Sequence, residues 1–312
     1  GGCWFISMAK IVIIGNSAAG NSCLQSLINS QGNNEITVIS QEEGLPYRRD
    51  QLLDYISGKV EEKDLFLCAE DFYGRNNIAI QKNNPLIRLD AKKQRLVLKD
   101  NSKINYDYLI IASGQRLDLP DLPGKTKDGV FSLYNLKEAK EIKQRLTISQ
   151  SVCLVGEVML ALALASIIAA KDKEIKVISG PQPQGFVASD KAEWIADLSV
   201  TEIIGEGSEL KALKLSNGKA LAASLIIFCG NYTPNSDFLK ETGINLEQGY
   251  IIVDDNMRTN LENIFACGSV CNKEGNITKE KSWEQAAQEG SIVAGVLNGL
   301  IERGKIPCQQ TS

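Results

Sequence analysis

The chain contains no histidine in 312 residues. That absence excludes His-based catalytic triads, His-ligated zinc and imidazole acid–base chemistry. No apolar run reaches the ~18–20 residues that a membrane-spanning helix needs. A basic excess is also missing: 34 Lys and Arg stand against 38 Asp and Glu, a net charge of −4. A nucleic-acid binder would show a concentrated positive footprint instead. None of the eight cysteines (Cys3, Cys23, Cys68, Cys153, Cys229, Cys267, Cys271 and Cys308) forms a C-x-x-C, so no zinc ribbon or local dithiol is encoded. Their scatter suits a reducing cytoplasm better than a secreted disulfide scaffold. Cys267 and Cys271 flank a glycine turn and read as buried thiols, and no metal site is expected.

What is present is a globular composition, 43% hydrophobic and 23% charged, with a length that suggests two domains. Residues 1–7 precede Met8, the expected true start, are too short and lack the basic beginning of a signal peptide, and are expected to be an expression remnant.

Lys10 to Ile14 is a short, mostly apolar, β-branched run, and reads as a strand buried on both faces. Asn21 to Ser30 places Cys23, Leu24, Leu27 and Ile28 at helical spacing, and Glu35 to Ser40 reads as the next strand. The same order returns in Ser151 to Val155, Met159 to Ala170 and Glu174 to Ser179. Two βαβ units thus predict two similar domains. Ile87 to Leu98 and Lys103 to Ile111 read as meander strands, Leu225 to Phe228, Gly249 to Asp254 and Asn263 to Ala266 as further strands, and Ser282 to Ile301 as the last helix. Pro120, Pro123 and Gly124 read as a linker.

Gly15-Asn16-Ser17-Ala18-Ala19-Gly20 lies between the first strand and first helix. As a G-x-G-x-x-G with Ser17 in the middle place, it would bring backbone and a helix N-terminus to a pyrophosphate. Gly15 would supply the tight turn and Gly20 the close helix–strand packing. An ordinary glycine turn is the alternative. Glu42, within Gln41-Glu42-Glu43 just past the second strand, is the candidate acid for ribose hydroxyls, with a solvated charge run as the alternative.

Four further segments carry a resemblance. Leu45-Pro46-Tyr47-Arg48-Arg49-Asp50-Gln51-Leu52 followed by Gly58-Lys59 resembles the "lPYdRppL…gK" segment of FAD-dependent ferredoxin and rubredoxin reductases. Those enzymes belong to the pyridine nucleotide-disulfide oxidoreductase family. Ala112-Ser113-Gly114 resembles its "ATG" turn, Arg258 to Gly268 its "rTnvpnIfAaGD" segment, and Ser282 to Gly290 its "W..A..qG" helix. The resemblance implies FAD in the first domain. Gly15, Ser17, Ala18, Ala19 and Gly20 would then hold the pyrophosphate and Glu42 the adenosine ribose. Arg49 and Lys59 would lie near the flavin, Ala112, Ser113 and Gly114 near the dinucleotide, Gly268 and Ser269 near the ribityl chain, and Ala286 and Ala287 under the isoalloxazine. A helix N-terminus there would stabilise the anionic reduced flavin.

The chain departs from the family at several places. Ser269 replaces the aspartate that follows the glycine turn, which offers a neutral hydrogen bond in place of a charge-assisted one. The second fingerprint reads Gly156-Glu157-Val158-Met159-Leu160-Ala161. Val158 crowds the pyrophosphate position, and Glu157 at ~5 Å and an effective dielectric of about 20 would cost about 3 kcal/mol, unless it points away. Ser179-Gly180 supplies neither an acid for NAD nor an arginine for NADP. These features set NAD(P)H use in doubt. The flavin–dithiol relay of thioredoxin reductase is absent, and the C-terminal dimerisation domain of many relatives is expected to be missing.

The expected fold is α/β, two Rossmann-like three-layer domains with the second inserted in the first. Residues 8–118 and 249–303 would form the FAD domain and 119–248 the NAD(P)-binding-like domain. The expected function is a cytoplasmic FAD-containing oxidoreductase passing electrons from NAD(P)H or another donor to a small redox protein or small-molecule acceptor. The flavin would carry the chemistry without a catalytic side chain. The alternative is a flavin-binding electron-transfer subunit or non-catalytic partner, whose second domain has become a surface for another protein. Neither reading includes nucleic acid or a membrane span.

Overall fold

A computed structural model describes residues 8–30, 32–230 and 232–303. Residues 1–7, Cys3 among them, and Cys308 lie outside the described residues. In chain order the elements that build the two sheets and their helices are β1 (Lys10–Ile14), α1 (Ala18–Asn29), β2 (Glu35–Ile39), β3 (Ala79–Gln81) and β4 (Tyr108–Ile111). They continue with β5 (Val130–Ser132), α2 (Leu136–Ile148), β6 (Ser151–Gly156), α3 (Val158–Ala169), β7 (Glu174–Ser179), β8 (Ala192–Ala196) and β9 (Leu225–Cys229). The last two are β10 (Ile264–Ala266) and α4 (Trp283–Arg303).

The described residues divide into two compact units, one drawn from residues 8–48, 66–115 and 234–303, the other from residues 49–65 and 116–233. The first unit contains the five-stranded sheet β10-β4-β1-β2-β3, parallel throughout. Its central strand is buried from Ile11 to Ile14. Such a strand needs helices on both faces, and its β-branched run is the sequence trace of that burial. The fold class is the expected one: α/β, built on parallel sheets.

In the second unit the sheet is β8-β7-β6-β9-β5, again parallel throughout. Both sheets place the fingerprint strand in the middle, with its βαβ partner on one side and the later strand (β4 or β9) on the other. In the second unit Asn135 starts α2 with a capping box, its side chain accepting from Glu138 N–H while Glu138 accepts from the Asn135 amide. Among the described residues no helix is long and apolar enough to cross a membrane.

Three expectations change. The run Ile87 to Leu98 is two antiparallel strands, Leu86–Asp90 and Arg95–Leu98, because a turn with Gln94 at φ +48° interrupts it. Lys103 to Ile111 likewise splits into Lys103–Asn105, which joins that antiparallel sheet, and β4. Pro120, Pro123 and Gly124 are no free linker: the Ile203 amide donates to the Pro123 carbonyl at 2.8 Å, and a Cβ on Gly124 would lie 2.0 Å from the Ile203 carbonyl oxygen.

Residues 49–65 group with the second unit rather than with the segments around them. The side chains give the reason. Lys140 on α2 pairs with Glu62 at 2.5 Å, Lys143 lies 4.0 Å from the Tyr55 ring, and Leu52, Tyr55 and Ile56 are buried.

Candidate dinucleotide site

In the first unit the strand order reverses between β1 and β4, and the crevice outside their carboxyl ends is where such sheets bind ligands. Gly15 ends β1 at φ +104°. Any Cβ there would sit 2.0 Å from the Ala112 carbonyl oxygen, and one on Gly20 would sit 2.1 Å from the Gly15 carbonyl oxygen. The turn is tied down on both sides, by Gly15 N–H to Ile39 O at 2.9 Å and Ala112 N–H to Ile14 O at 2.7 Å.

Helix α1 begins at Ala18 behind Ser17, which makes no capping hydrogen bond, and its first turn has no acid. Its first amides and partial positive charge are therefore available to an anion. Beside them, Asn16 donates from Nδ2 to the Tyr73 hydroxyl at 2.6 Å. The Oδ1 atoms of Asn16 and Asn21 are buried without a hydrogen-bond partner. An unsatisfied buried carbonyl costs about 1–3 kcal/mol, so both call for a donor. A phosphate-bearing, hydroxyl-rich dinucleotide such as FAD fits both demands.

Glu42 lies past the end of β2 and is half-buried, its carboxylate accepting from the Tyr47 hydroxyl at 2.9 Å. Ala112, Ser113 and Gly114 form the turn after β4. Ser113 Oγ donates to the Asn235 carbonyl at 2.7 Å, and Asn235 returns its own amides to the carbonyls of Ser113 and Gly114 at 2.9 Å. After β10, Gly268 takes φ +78°, and a Cβ on it would come 2.9 Å from the Ala19 Cβ. Ser269 follows, half-buried. On α4, Ala286 is buried and Ala287 half-buried, while a Cβ on Gly290 would lie 2.1 Å from the Ala19 carbonyl oxygen. The sheet and helix packing thus gather the turns at Gly15–Gly20, Ala112–Gly114 and Gly268–Ser269 in one unit.

Arg49 and Lys59 belong to the second unit. The Arg49 guanidinium stands 4.6 Å from the Tyr134 ring and donates to the Tyr134 carbonyl at 2.6 Å. Lys59 is exposed, 3.8 Å from Asp54.

Two charged residues at the Gly268 turn escaped the sequence reading. Lys281 Nζ lies 2.7 Å from Glu289 Oε1, and Glu289 Oε2 accepts from the Gly268 amide at 2.7 Å. In sequence they look like two solvated charges near a helix start; only the acid placed directly before Gly290 hints otherwise.

The thiols around this turn are chemically quiet. Cys267 and Cys271 are buried, and burial pushes Cys271 up to about 12 and Cys267 well above the ordinary thiol range. A nucleophilic thiol needs the opposite shift.

The second fingerprint is built alike but closed differently. Gly156 sits at φ +133°, and a Cβ there would be 1.8 Å from the Cys229 carbonyl oxygen. Glu157 caps α3 with its own carboxylate, which accepts from the Met159 amide at 2.9 Å and the Leu160 amide at 2.8 Å. Ser179 Oγ donates to the Gly156 carbonyl at 2.6 Å.

A model of the pyridine nucleotide-disulphide oxidoreductase family matches residues 9–290. This chain belongs to that family. The NADH-rubredoxin oxidoreductase of Clostridium acetobutylicum is 29% identical over 269 residues, 84% of this chain and 68% of that protein. The assimilatory nitrate reductase electron transfer subunit of Bacillus subtilis is 23% identical over 96% of this chain, which spans only 40% of that longer protein. In structure, a ferredoxin reductase from Rhodopseudomonas palustris superposes with a TM-score of 0.84 at 24% identity, covering 93% of this chain and 76% of its own. As a pyridine nucleotide-disulphide oxidoreductase the chain falls in an FAD-dependent group of oxidoreductases. The doubt over NAD(P)H drawn from Glu157 and Val158 finds no support among these relatives, the first of which is named for NADH.

Proposed function

We propose that this chain is an FAD-dependent oxidoreductase that draws electrons from NADH or NADPH and passes them to a small redox protein. The observation that carries the reading is the start of α1. It has no side-chain cap, it stands at the reversal of strand order, and two buried amide oxygens beside it lack donors.

Bound FAD would accept two electrons as hydride and release them to an acceptor; the protein supplies place and field. Gly15, Ser17, Ala18, Ala19 and Gly20 bring backbone amides to the pyrophosphate, and Glu42, steadied by Tyr47, takes ribose hydroxyls. Ala112, Ser113 and Gly114 border the dinucleotide, Gly268 and Ser269 the ribityl chain, and Ala286 and Ala287 bring the start of α4 beneath the ring. Arg49 and Lys59 belong to the second unit, which would receive the nicotinamide dinucleotide, and their place near a flavin rests on the family resemblance alone. No side chain is asked to act as a base, in keeping with a chain that has no histidine.

A second reading, an electron-transfer subunit reduced by a protein donor, is favoured by the self-capped α3 and by the relative named as such a subunit. Anaerobic mixing with NADH and NADPH separates the two. Rapid bleaching of the visible flavin band supports the reductase. A flavin that ignores both nucleotides yet is reduced by a protein donor supports the subunit, and a protein that takes up no flavin overturns both.

A further inference from the structure

Lys281 and Glu289 face each other eight residues apart, their side chains only 9% and 18% exposed. Between them they hold one residue. Glu289 Oε2 accepts from the Gly268 amide at 2.7 Å, while Lys281 Nζ donates to the Gly268 carbonyl at 3.1 Å. Cys271 borders the pair, its sulfur 3.8 Å from Lys281 Nζ and 3.9 Å from Glu289 Oε2.

An ion pair withdrawn from water is a weak source of net stability, because desolvation offsets its attraction. It is a strong source of geometry, since either charge left alone is costly and both ends here are spent on one residue, Glu289 on the peptide group before Gly268 and Lys281 on the one after it. That residue makes a left-handed turn and approaches Ala19 in the first turn of α1 so closely that a Cβ would fall 2.9 Å from the Ala19 Cβ.

We infer that Lys281 and Glu289 form a positioning pair for the cofactor site. They clasp Gly268 against the first turn of α1, so that Ser269 follows at a fixed place beside the dinucleotide. The inference rests on the FAD reading above. It assigns the pair no contact with the cofactor; its action passes through Gly268.

The test uses the full chain with FAD as the probe, in K281M, E289M and the double variant K281M/E289M, methionine offering no acceptor to the Gly268 amide. Three quantities are read: melting midpoint without cofactor, FAD dissociation constant by fluorescence titration, and the visible flavin spectrum. Each single variant leaves one buried charge unpaired and melts earlier. The double variant removes both charges and recovers the melting midpoint. Under the inference it still binds FAD at least tenfold more weakly than wild type, with an altered flavin band, because Gly268 has lost its clasp. The inference is overturned if the double variant binds FAD within twofold of wild type with an unchanged spectrum, since the pair would then be structural only. Should either single variant fail to fold, the double variant alone carries the decision. Wild type that takes up no FAD overturns the proposed function and this inference together.

Discussion

The backbone amide of Leu160 donates to the carboxylate of Glu157 at 2.8 Å, and the Met159 amide takes the other oxygen at 2.9 Å. The amides at the start of α3 are thus met by an anion that the chain itself carries. At the matching place in the first unit, Ser17 leaves the amides of α1 uncapped. Two similar βαβ units diverge here. One presents its helix N-terminus, and the other has filled it.

Nicotinamide binding should respond to this. In Glu157→Ala the resident carboxylate is gone, and α3 loses a cap worth about 1 kcal/mol. The apparent NADH affinity should rise about tenfold, equivalent to ~1.4 kcal/mol. Stopped-flow flavin reduction over a range of NADH concentrations measures it. No gain in affinity would mean that the carboxylate swings aside at no cost.

The open helix of the first unit allows the converse experiment. Ser17→Glu places a negative charge where a pyrophosphate is proposed. At ~4–5 Å and an effective dielectric of about 20, the repulsion is about 3–4 kcal/mol, roughly a hundredfold or more in affinity. The ratio of flavin to protein after reconstitution should fall toward zero. Full occupancy would move the cofactor elsewhere.

Gly290→Ala tests the seam between α1 and α4. In an exposed helix this change would gain up to about 1 kcal/mol. Here the new methyl lies 2.1 Å from the Ala19 carbonyl oxygen, so the helices must separate. The expected outcome is a loss of about 2 kcal/mol or more, as for overpacked cores, together with weaker FAD binding. Denaturant melts and flavin titration report the two effects; a stabilised variant contradicts the packing described.

The cysteines predict an alkaline limit rather than a catalytic role. Cys23, Cys153, Cys229 and Cys271 are pushed by burial from 9.0 up to about 12. Above pH 9 the unfolded chain releases these protons while the folded one keeps them, so unfolding is favoured as pH rises. The thiol contribution to stability should be flat below about pH 8.5 and fall between pH 9 and 12, by at most about 1.4 kcal/mol per thiol per pH unit. Urea melts at pH 8 and pH 10 test the sign. Cys267→Ser with Cys271→Ser should leave the rate of flavin reduction within a few-fold. A hundredfold loss with FAD retained would assign those thiols a redox role.

Local pattern was enough for much of this protein. The β-branched run Ile11 to Ile14, the glycine turn behind it and the helical spacing of Cys23, Leu24 and Leu27 depend on neighbours a few residues away, and the fold shows them within a few residues of their expected bounds. The repeat of that order near Ser151 carried the second α/β unit in the same way. Tertiary structure decided what depends on distant partners. Residues 49–65 join the second unit because Tyr55 and Glu62 meet lysines of α2, about 80 residues on, which no local window contains. Whether Glu157 repels a phosphate or replaces one is a matter of its side-chain rotamer, set only once α3 has formed. The Glu289 carboxylate finds the Gly268 amide across 21 residues because α4 packs on α1 through Gly290, and a charge looks solvated in sequence until that packing removes the water.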